Sequence, residues 1–572
     1  MELVRHSRGY EIKGGCHMKH LKASLSFAAI GTLLLASACG STAPADEKPK
    51  SGDSSSTAPA APAGPLSKYP TPIEVTTVRS VDASIKFVGS DTIDNNEWTR
   101  AYLDELGIKL KYNWIATSGE DSAQKMNVMI ASGDLPDIIP VNAIQLKQLV
   151  EADLIADLSD VYAKYASPLA KKFMEGNSPE QLNSAKFNGK LMAIPNTNSS
   201  IDGASILWVR TDWLKKLGLS EPKTMDDVGN IAEAFAKRDP DGNGKNDTFG
   251  LGINKGIGGG GIMGLAGFFN GFHAYTGSWV KDASGNLVYG SILPEVKPAL
   301  LKLQEMYKAG LLDKEFGVKD GAKAGEDAVA GKIGLYYGAM WNPINPLQKG
   351  KDLDPNMEWG AFPIVSVDSK PARPQVGNPV FAYYAVKKGA KNPEAVMKMV
   401  NLFVEKGWGE KQDFDNFFTS KDGIELFKHS PFNAWSPTKN LDVHLAVVNS
   451  LKTGDTSKLN GEQKSTYDKI KKFNEGDNKN WNQARVFGES SSFAVINQYQ
   501  NNNLPLMSQF FGAPTKTMGE KKATLDKMEL ETFTKIIMGE PIEAFDKFVE
   551  DWKKLGGTDI TKEVNEWAKS AR

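Results

Sequence analysis

Alternating hydrophobic and polar positions predict strands and helices from about residue 73 onward. Residues 73–78 alternate in β-branched side chains and predict a first strand, and residues 108–114 alternate in the same way and predict a second. Amphipathic stretches over 97–106 and 122–131 predict helices, and a third strand begins at 137–139. This βαβαβ order predicts a parallel sheet with helices on its faces.

Further along the chain, the same patterns predict long helices over 393–404 and 525–537 and short strands over 333–337 and 381–386. No internal repeat is found. With 572 residues, the chain exceeds the roughly 250–300 residues at which a single hydrophobic core stops growing. We therefore expect at least two lobes.

Composition and charge exclude some classes of protein. Hydrophobic residues make up 40% and charged residues 24% of the chain, as in ordinary soluble globular proteins. The 68 Lys and Arg against 69 Asp and Glu give a net charge of -1, which argues against nucleic-acid binding, because such proteins carry a basic field. The two cysteines, Cys16 and Cys39, are too few for a disulfide framework or a thiolate zinc cluster.

Residues 1–38 have the features of a signal peptide, for which Met18 is a better start than the first residue. The apolar run Leu25–Ala36 is shorter than the roughly 20 residues that span a bilayer. Leu35–Cys39 resembles the lipobox of bacterial lipoproteins, with an alanine where leucine is common. The resemblance implies cleavage before Cys39 and a diacylglycerol group, with acyl chains such as palmitate, on its sulfur. The alternative is a plain secretory signal in which Cys39 is incidental.

Residues 39–72 combine Ser, Ala, Pro, Gly and charged residues with few apolar ones, which predicts a lipidated N-terminus followed by a disordered tether. The leader holds five basic and two acidic residues, so the net charge of -1 becomes -4 after cleavage. We expect a lipid anchor, and not a basic patch, to hold the globular body near the membrane, since two acyl chains bind a bilayer stably.

Four motifs stand in order along the body: Ala131–Asp137, Asn188–Pro195, Leu207–Leu214 followed by Pro222–Asp227, and Ala330–Leu335. Each is weak alone. The ordered set resembles the family of extracellular solute-binding proteins that serve sugar ABC importers, from about residue 73 to the end. The branch it resembles most is that of large Gram-positive lipoproteins for oligosaccharides, similar to oligosaccharide- and alginate-binding proteins.

The resemblance implies an α/β fold like that of periplasmic binding proteins, with two lobes joined by hinge crossovers and a ligand cleft between them. It implies that lobe one comprises residues 73–200 and 380–432 and that lobe two comprises residues 201–379 and 433–572. Such proteins close on their ligand as hinged domains.

A short acidic loop is the most specific chemical pattern in the chain. Ca²⁺ takes six to eight oxygen ligands, and the loop has Asp239, Asp241 and Asn243 at positions one, three and five, with glycine at six. Lys245 would contribute its backbone carbonyl at position seven and Asp247 its side chain at nine. Position twelve is glycine and not the glutamate of a signalling EF-hand, which favours a structural ion. The alternative is a turn without metal.

Aromatic side chains are the first candidates for contact with a sugar. Trp341 follows a predicted strand, and the resemblance places a stacking tryptophan there, with Asn342 beside it to bond a hydroxyl group. An interior packing role is the alternative for Trp341. Trp98, with Asp91 and Asn95, follows the first strand, where open α/β sheets bind ligands. The alternative there is that Asp94 or Asn95 caps the next helix.

Other candidate ligand-binding residues lie near the crossovers and a glycine-rich loop. Trp435 is a third predicted platform. Arg210 could bind a hydroxyl group or an acidic sugar, or form a structural ion pair with Asp212. Tyr275 and Trp279 follow a glycine run that predicts a mobile loop and not a phosphate cradle, because no Gly-Lys-Ser/Thr follows it. Core positions are predicted for four more tryptophans: Trp213, Trp359, Trp552 and Trp567.

The sequence contains neither a Gly-x-Ser-x-Gly elbow nor a His-Glu-x-x-His motif. We expect a monomeric, non-enzymatic receptor, lipid-anchored on the outer face of a Gram-positive cell membrane. It would deliver a carbohydrate, in particular an oligosaccharide, to the permease subunits of an ABC importer and would not bind nucleic acid. The alternatives are a surface glycoside hydrolase, which needs only two suitably spaced carboxylates, and a peptide- or signal-binding lipoprotein.

Overall fold

The fold is described from a computed structural model, which covers residues 63–81, 85–176, 180–420 and 422–570. Cys39 and the predicted signal peptide lie outside these residues. The strands are β1 (Ile73–Ser80), β2 (Ile108–Ala116), β3 (Ile138–Val141), β4 (Lys186–Phe187), β5 (Lys190–Leu191), β6 (Ile194–Thr197), β7 (Ile206–Arg210), β8 (Trp279–Lys281), β9 (Leu287–Tyr289), β10 (Leu335–Gly338), β11 (Trp359–Phe362), β12 (Gln375–Val376), β13 (Val380–Val386) and β14 (Leu506–Met507).

The α-helices are α1 (Glu97–Ala101), α2 (Gly119–Ser132), α3 (Ala143–Glu151), α4 (Ser159–Tyr165), α5 (Pro168–Glu175), α6 (Glu180–Asn183), α7 (Thr211–Leu217), α8 (Met225–Lys237), α9 (Ala266–Gly271), α10 (Val296–Lys308), α11 (Gly321–Val329), α12 (Gln348–Leu353), α13 (Ala395–Trp408), α14 (Phe414–Phe417), α15 (Lys439–Thr453), α16 (Gly461–Asn474), α17 (Trp481–Phe487), α18 (Ser492–Asn501), α19 (Lys516–Met538), α20 (Glu543–Trp552) and α21 (Thr558–Ser570). None of the helices in this described part of the chain is long and apolar enough to cross a membrane.

The predicted order of strands and helices at the start of the body is confirmed by β1, α1, β2, α2 and β3. After α1 the helix continues as a π-helical turn, and Gly107 then takes up the left-handed conformation with φ of 71°. The N-cap of α1 is Asn96, whose side chain accepts hydrogen bonds from the backbone N–H groups of Trp98 and Thr99. The predicted cap at Asp94 or Asn95 was therefore one or two residues too early.

Two small sheets, β1-β2 and β3-β13-β6, lie side by side and are together called the first sheet. β1 and β2 are parallel, as predicted, and β13 pairs antiparallel with both β3 and β6. β3 lies beside β1, because the Thr76 backbone N–H and hydroxyl donate to Asp137 Oδ2 at 2.8 and 2.7 Å. The carboxyl ends of β1, β2 and β3 consequently meet at one edge. A second sheet has the antiparallel order β10-β7-β11.

Buried hydrophobic side chains form two large clusters. The first core draws on residues from 69–194 and 380–434, and the second core on residues from 204–376 and 441–564. The chain therefore passes from one core to the other three times. The predicted lobe boundaries at 200/201 and 379/380 fall in the intervals between these ranges, whereas the third, at 432/433, falls just before the end of the range 380–434. The division into lobes stays a prediction.

Part of the predicted tether, residues 64–69, is held against the first core by the buried Tyr69 and by hydrogen bonds. Tyr69 is 2% exposed, and Lys398 Nζ donates hydrogen bonds to the carbonyl oxygens of Gly64 and Ser67 at 2.5 and 2.9 Å. Gly107 leaves room for this segment, because a Cβ atom there would lie 2.8 Å from the Tyr69 carbonyl oxygen. Backbone carbonyls make most of these bonds, and a hydrophobicity pattern does not reveal them.

Candidate functional site

Two adjoining cavities lie where the segments that pass between the cores meet the first core. The crossover cavity has a volume of about 530 Å³ and is lined by residues of all three passing segments together with residues of α14 and α16. The strand-end cavity has a volume of about 590 Å³ and lies against the first sheet. The two share Asn198, Phe427 and Trp435 as lining residues, so together they form one continuous candidate site.

The strand-end cavity is built on the carboxyl edge of the first sheet. Arg79 ends β1, Trp114 stands near the end of β2, and Pro140 lies on β3. Phe381, on the antiparallel strand β13, is 78% exposed beside them. Open α/β sheets characteristically bind ligands at this edge, and here the edge presents two aromatic rings to solvent.

Trp435 forms the wall common to both cavities. Its backbone N–H donates to the Thr197 carbonyl at 3.1 Å, and the Thr197 hydroxyl donates back to the Trp435 carbonyl at 2.8 Å. Its indole is packed edge-on by four rings, with centroid separations of 5.2–5.9 Å: Phe403, Trp408, Phe418 and Phe427. These contacts hold the partly exposed indole in a fixed orientation. Its predicted role as a platform stays a prediction, and its position is compatible with it.

Polar side chains surround these aromatic ones. Asp202 accepts hydrogen bonds from the Ser199 hydroxyl at 2.9 Å and from Asn440 Nδ2 at 2.6 Å, and burial raises its pKa to about 6. The Lys439 ammonium group pairs with Glu462 and lies 5.9 Å from the Trp435 ring centroid. The crossover cavity therefore combines a carboxylate, an ion pair and an indole, a set that can bond both the hydroxyl groups and the C–H face of a sugar.

Asn342 was predicted to bond a sugar hydroxyl, and that prediction is wrong for this conformation. The side chain is fully buried, and neither amide atom has a hydrogen-bond partner among the described residues. It packs against β10, where a Cβ atom at Gly338 would lie 2.0 Å from Asn342 Oδ1. Trp341 is partly exposed but lines neither of the two cavities, so its predicted stacking role remains untested.

Trp98 is a core residue, and its predicted role as a platform is wrong. It is 0% exposed, donates its indole N–H to the Leu426 carbonyl at 3.0 Å and stacks on Phe403. The side chains of Asp91 and Asn95 both accept hydrogen bonds from Arg100, at 2.8 and 3.2 Å. The predicted group around Trp98 therefore serves to pack and orient α1, because its helix turns the indole inward.

Three more predicted ligand contacts also lie outside the cavities. Arg210 is 3% exposed and donates Nε and Nη2 to the two oxygens of Asp212 at 2.7 and 2.5 Å, which is the structural ion pair considered as its alternative. Trp279 is buried against Tyr289, with ring centroids 5.5 Å apart. Tyr275 is half-buried, and burial raises its pKa. As predicted, the tryptophans in the core include Trp213, Trp359 and Trp552, whereas Trp567 is half-buried.

Sequence reasoning missed the aromatic residues of the strand-end cavity. Trp114 is the last residue of the predicted second strand, so the rule that ligands bind at carboxyl ends of strands would have found it. Phe381 begins an antiparallel strand, and only the pairing of β13 with β3 and β6 brings it to the same edge. Asn196 lies near the end of β6, and its buried Oδ1 has no hydrogen-bond partner in the described residues.

The acidic loop has the turn that its pattern predicts. Asp239 Oδ1 accepts hydrogen bonds from the backbone N–H groups of Gly242 and Asn243 at 3.0 and 3.1 Å, and Gly244 has φ of 75°. Asn243 Nδ2 donates to Asp241 at 2.7 Å and to Asp247 at 3.0 Å. Within the described ranges, however, no group of three or more His, Cys, Asp or Glu residues is arranged to hold a metal ion.

Comparison with known proteins identifies related chains. The sequence pattern of bacterial extracellular solute-binding proteins matches residues 89–410. Lipoprotein LipO of Bacillus subtilis (strain 168) is 26% identical over 501 residues, which cover 84% of this chain and 90% of LipO. The polygalacturonan/rhamnogalacturonan-binding protein YtcQ of the same strain is 24% identical over 477 residues, covering 81% and 86% of the two chains.

A solved structure has the same fold. It is an EF-hand mutant of the Streptococcus pneumoniae ABC-transporter substrate-binding protein FusA in complex with fructo-nystose. The TM-score is 0.56 at 17% identity, and the alignment covers 87% of this chain and 99% of the other.

Proposed function

Because this chain belongs to the family of bacterial extracellular solute-binding proteins, we propose that it captures an oligosaccharide and delivers it to the permease of an ABC importer. The observation that carries this proposal is the continuous site formed by the crossover cavity and the strand-end cavity. Two related proteins, YtcQ and FusA, are named for saccharides that they bind. A saccharide is accordingly the first ligand to test.

The lining of the site suits several sugar rings. Phe381, Trp114 and Trp435 offer apolar faces, and Asn196 and Asp202 offer hydrogen-bonding atoms between them. Ligand pockets of roughly 300–1,000 Å³ commonly combine apolar walls with a few polar groups. Two joined cavities of about 530 and 590 Å³ favour an oligosaccharide over a single sugar.

Ligand capture would use the passing segments as hinges. Thr197 is bonded to Trp435, and the Ser199 hydroxyl donates to the Pro437 carbonyl at 2.8 Å, so the first and third passing segments move together. A ligand that contacts residues attached to both cores stabilises the arrangement in which they approach each other. The free energy for closure then comes from the difference between the ligand's affinity for the closed form and its affinity for the open form.

A saccharide panel tests this function. We expect the unfolding midpoint of the purified protein to rise with at least one oligosaccharide, because a ligand that binds only the folded state stabilises it. The midpoint is measured by differential scanning calorimetry, with peptides of matched length as the control. A response to peptides and to no saccharide would refute the proposal. Recovery of the bound oligosaccharide in shortened form after long incubation would instead identify a glycoside hydrolase.

The acidic loop, we propose further, holds a structural calcium ion. The side chains of Asp239, Asp241, Asn243 and Asp247 and the carbonyl of Lys245 would supply the ligands, and the left-handed glycine already gives the sharp turn that such a loop requires. Bound Ca²⁺ would neutralise the carboxylates. Chelation is expected to lower the unfolding midpoint by several degrees, and Asp241→Asn to abolish that response. An unchanged midpoint in chelator would mean that the loop is a turn without metal.

The location we propose is the outer face of the cell membrane, with Cys39 lipidated. LipO, which matches 84% of this chain, is named a lipoprotein, and Leu35–Cys39 resembles a lipobox. Metabolic labelling with an alkyne analogue of palmitate should mark the wild-type protein and leave Cys39→Ser unlabelled. Equal labelling of both would exclude this cysteine as the anchor.

A further inference from the structure

We propose that the strand-end cavity receives the carboxylate of an acidic sugar, and that Arg79 is the cation that binds it. This inference rests on the proposed function and adds to it a class of ligand, the uronic-acid oligosaccharides. It starts from a charged group, the Arg79 guanidinium, for which the described residues offer no counter-ion.

Arg79 is a buried cation that has no carboxylate partner among the described residues. It is 6% exposed at the end of β1. Its Nη1 donates to the Tyr112 hydroxyl at 3.2 Å and to the His429 carbonyl at 2.5 Å, and its Nη2 donates to the Lys428 carbonyl. All three acceptors are neutral. A buried charge ordinarily has a counter-ion, and among the described residues no Asp or Glu is hydrogen-bonded to this guanidinium.

Arg210, a second buried arginine, has the carboxylate partner that Arg79 lacks among the described residues. It is 3% exposed, and its Nε and Nη2 donate to the two oxygens of Asp212 at 2.7 and 2.5 Å. The corresponding edge of the Arg79 guanidinium is formed by Nε and Nη2. The Nε–H group has no acceptor within the described residues, and Nη2 uses only one of its two hydrogens, in the bond to the Lys428 carbonyl. A ligand carboxylate can therefore bind Arg79 in the bidentate manner in which Asp212 binds Arg210.

The surroundings of Arg79 favour an anion. The charged residues that line the strand-end cavity are Arg79 and Lys428, and its described lining includes no Asp or Glu. Lys428 is paired with Glu425 at 2.7 Å, so the local excess of positive charge is that of Arg79. The crossover cavity differs, because its lining includes Asp202 and Glu462. An acidic group would consequently enter the strand-end cavity and not the crossover cavity.

Neighbouring residues indicate that the anion is carried by a sugar ring. Trp114 and Phe381 line the same cavity and offer apolar faces. Asn196 is 9% exposed, and its Oδ1 lacks a hydrogen-bond donor in the described part of the chain. A uronate offers all three partners that are missing here: a carboxylate for Arg79, a hydroxyl group for Asn196 and a C–H face for the aromatic rings.

The test compares ligands that differ only in charge. Trigalacturonate and trimannuronate are titrated into the full-length protein by isothermal calorimetry, each beside its methyl ester, which removes the charge and keeps the ring. We expect at least one acid to bind about tenfold or more tightly than its ester, and the difference to shrink at high salt, which screens ion pairs. Equal affinities for acid and ester, or binding of neutral oligosaccharides alone, would overturn the inference and leave the proposed function standing.

Variants assign the preference to Arg79. Arg79→Gln should bind acid and ester equally, while Arg79→Lys should keep part of the preference for the acid. Arg100→Gln is the matched control, since Arg100 is exposed and lies outside both cavities. If Arg79→Gln does not fold, the comparison of acid with ester on the wild-type protein still tests whether the site prefers a charged ligand. Failure of every saccharide, neutral or acidic, to bind would overturn the inference together with the proposed function.

Discussion

Glu529 is a half-buried carboxyl group beside the second core that accepts hydrogen bonds from two hydroxyl groups. Tyr289 donates to it at 3.1 Å and Ser291 at 2.8 Å, yet burial raises its pKa to about 7. The folded protein therefore binds a proton at Glu529 over a pH range in which the unfolded chain has already released it. The stability that this proton provides is complete below the ordinary pKa of glutamic acid and is lost as pH rises toward 7.

Glu529→Gln should remove this dependence, because glutamine keeps the shape and one acceptor oxygen without ionising. Relative to wild type, we expect the variant to gain unfolding free energy between about pH 5 and pH 8, by on the order of 1–3 kcal/mol. Urea denaturation at the two pH values measures it. Glu531→Gln, at an exposed position on the same helix, is the control. An equal difference between wild type and Glu529→Gln at both pH values would contradict the expectation.

Side-chain roles could be predicted from the sequence only where the pattern itself determines the geometry. The spacing of Asp239, Asp241 and Asn243 is enough to predict the turn, because all of its bonds are local. Trp98 and Phe381 were indistinguishable as aromatic residues beside strands. One is turned inward by a helix and the other is left exposed by strand pairing, and both outcomes depend on residues far away in the chain.

The segment Gly64–Tyr69 is fastened to α13 by polar bonds. Lys398, fully buried, donates to the Gly64 and Ser67 carbonyls, and Asn401 Nδ2 donates to the Pro65 carbonyl at 3.1 Å. The Tyr69 hydroxyl donates to Glu394. Burial lowers the pKa of Lys398 to about 8. The chain is thereby fixed to the first core before β1 begins.

Lys398→Met should release this segment, because methionine fills similar space without donating hydrogen bonds. We expect amide hydrogen exchange in residues 63–69 to accelerate by at least about tenfold, which corresponds to the loss of about 1.4 kcal/mol of local stability. Mass spectrometry of the exchanged peptides measures it. Lys388→Met, at an exposed position, should leave the segment protected. Unchanged exchange in Lys398→Met would mean that Tyr69 alone holds the segment.

Strands and helices with a clear local period were predicted well, as β1, β2, α2, α13 and α19 show. The pairing of strands was predicted only where neighbours in sequence are neighbours in space. β13 joins β3 and β6 across about 190–240 residues of chain, and nothing in its own sequence specifies an antiparallel partner. From the sequence, therefore, only part of the sheet edge on which the strand-end cavity lies could be predicted.

At the scale of the whole molecule, the candidate site lies where the segments that pass between two separately packed cores meet the first core. Each core has its own sheet, and three passing segments connect them. Two of these segments are bonded to each other beside Trp435. The fold could be predicted because four ordered motifs resemble those of a known family, whereas the site could not, because residues from many separate segments line it.

The most direct test of this account is the affinity of Phe381→Ala for the oligosaccharide that gives the largest rise in the unfolding midpoint. Phe381 is 78% exposed, so its removal should leave the stability of the ligand-free protein within about 0.5 kcal/mol. By isothermal calorimetry, we predict at least about tenfold weaker binding, or 1.4 kcal/mol. Trp341→Ala, outside both cavities, should bind as wild type does. Unchanged affinity in Phe381→Ala together with lost affinity in Trp341→Ala would contradict the account.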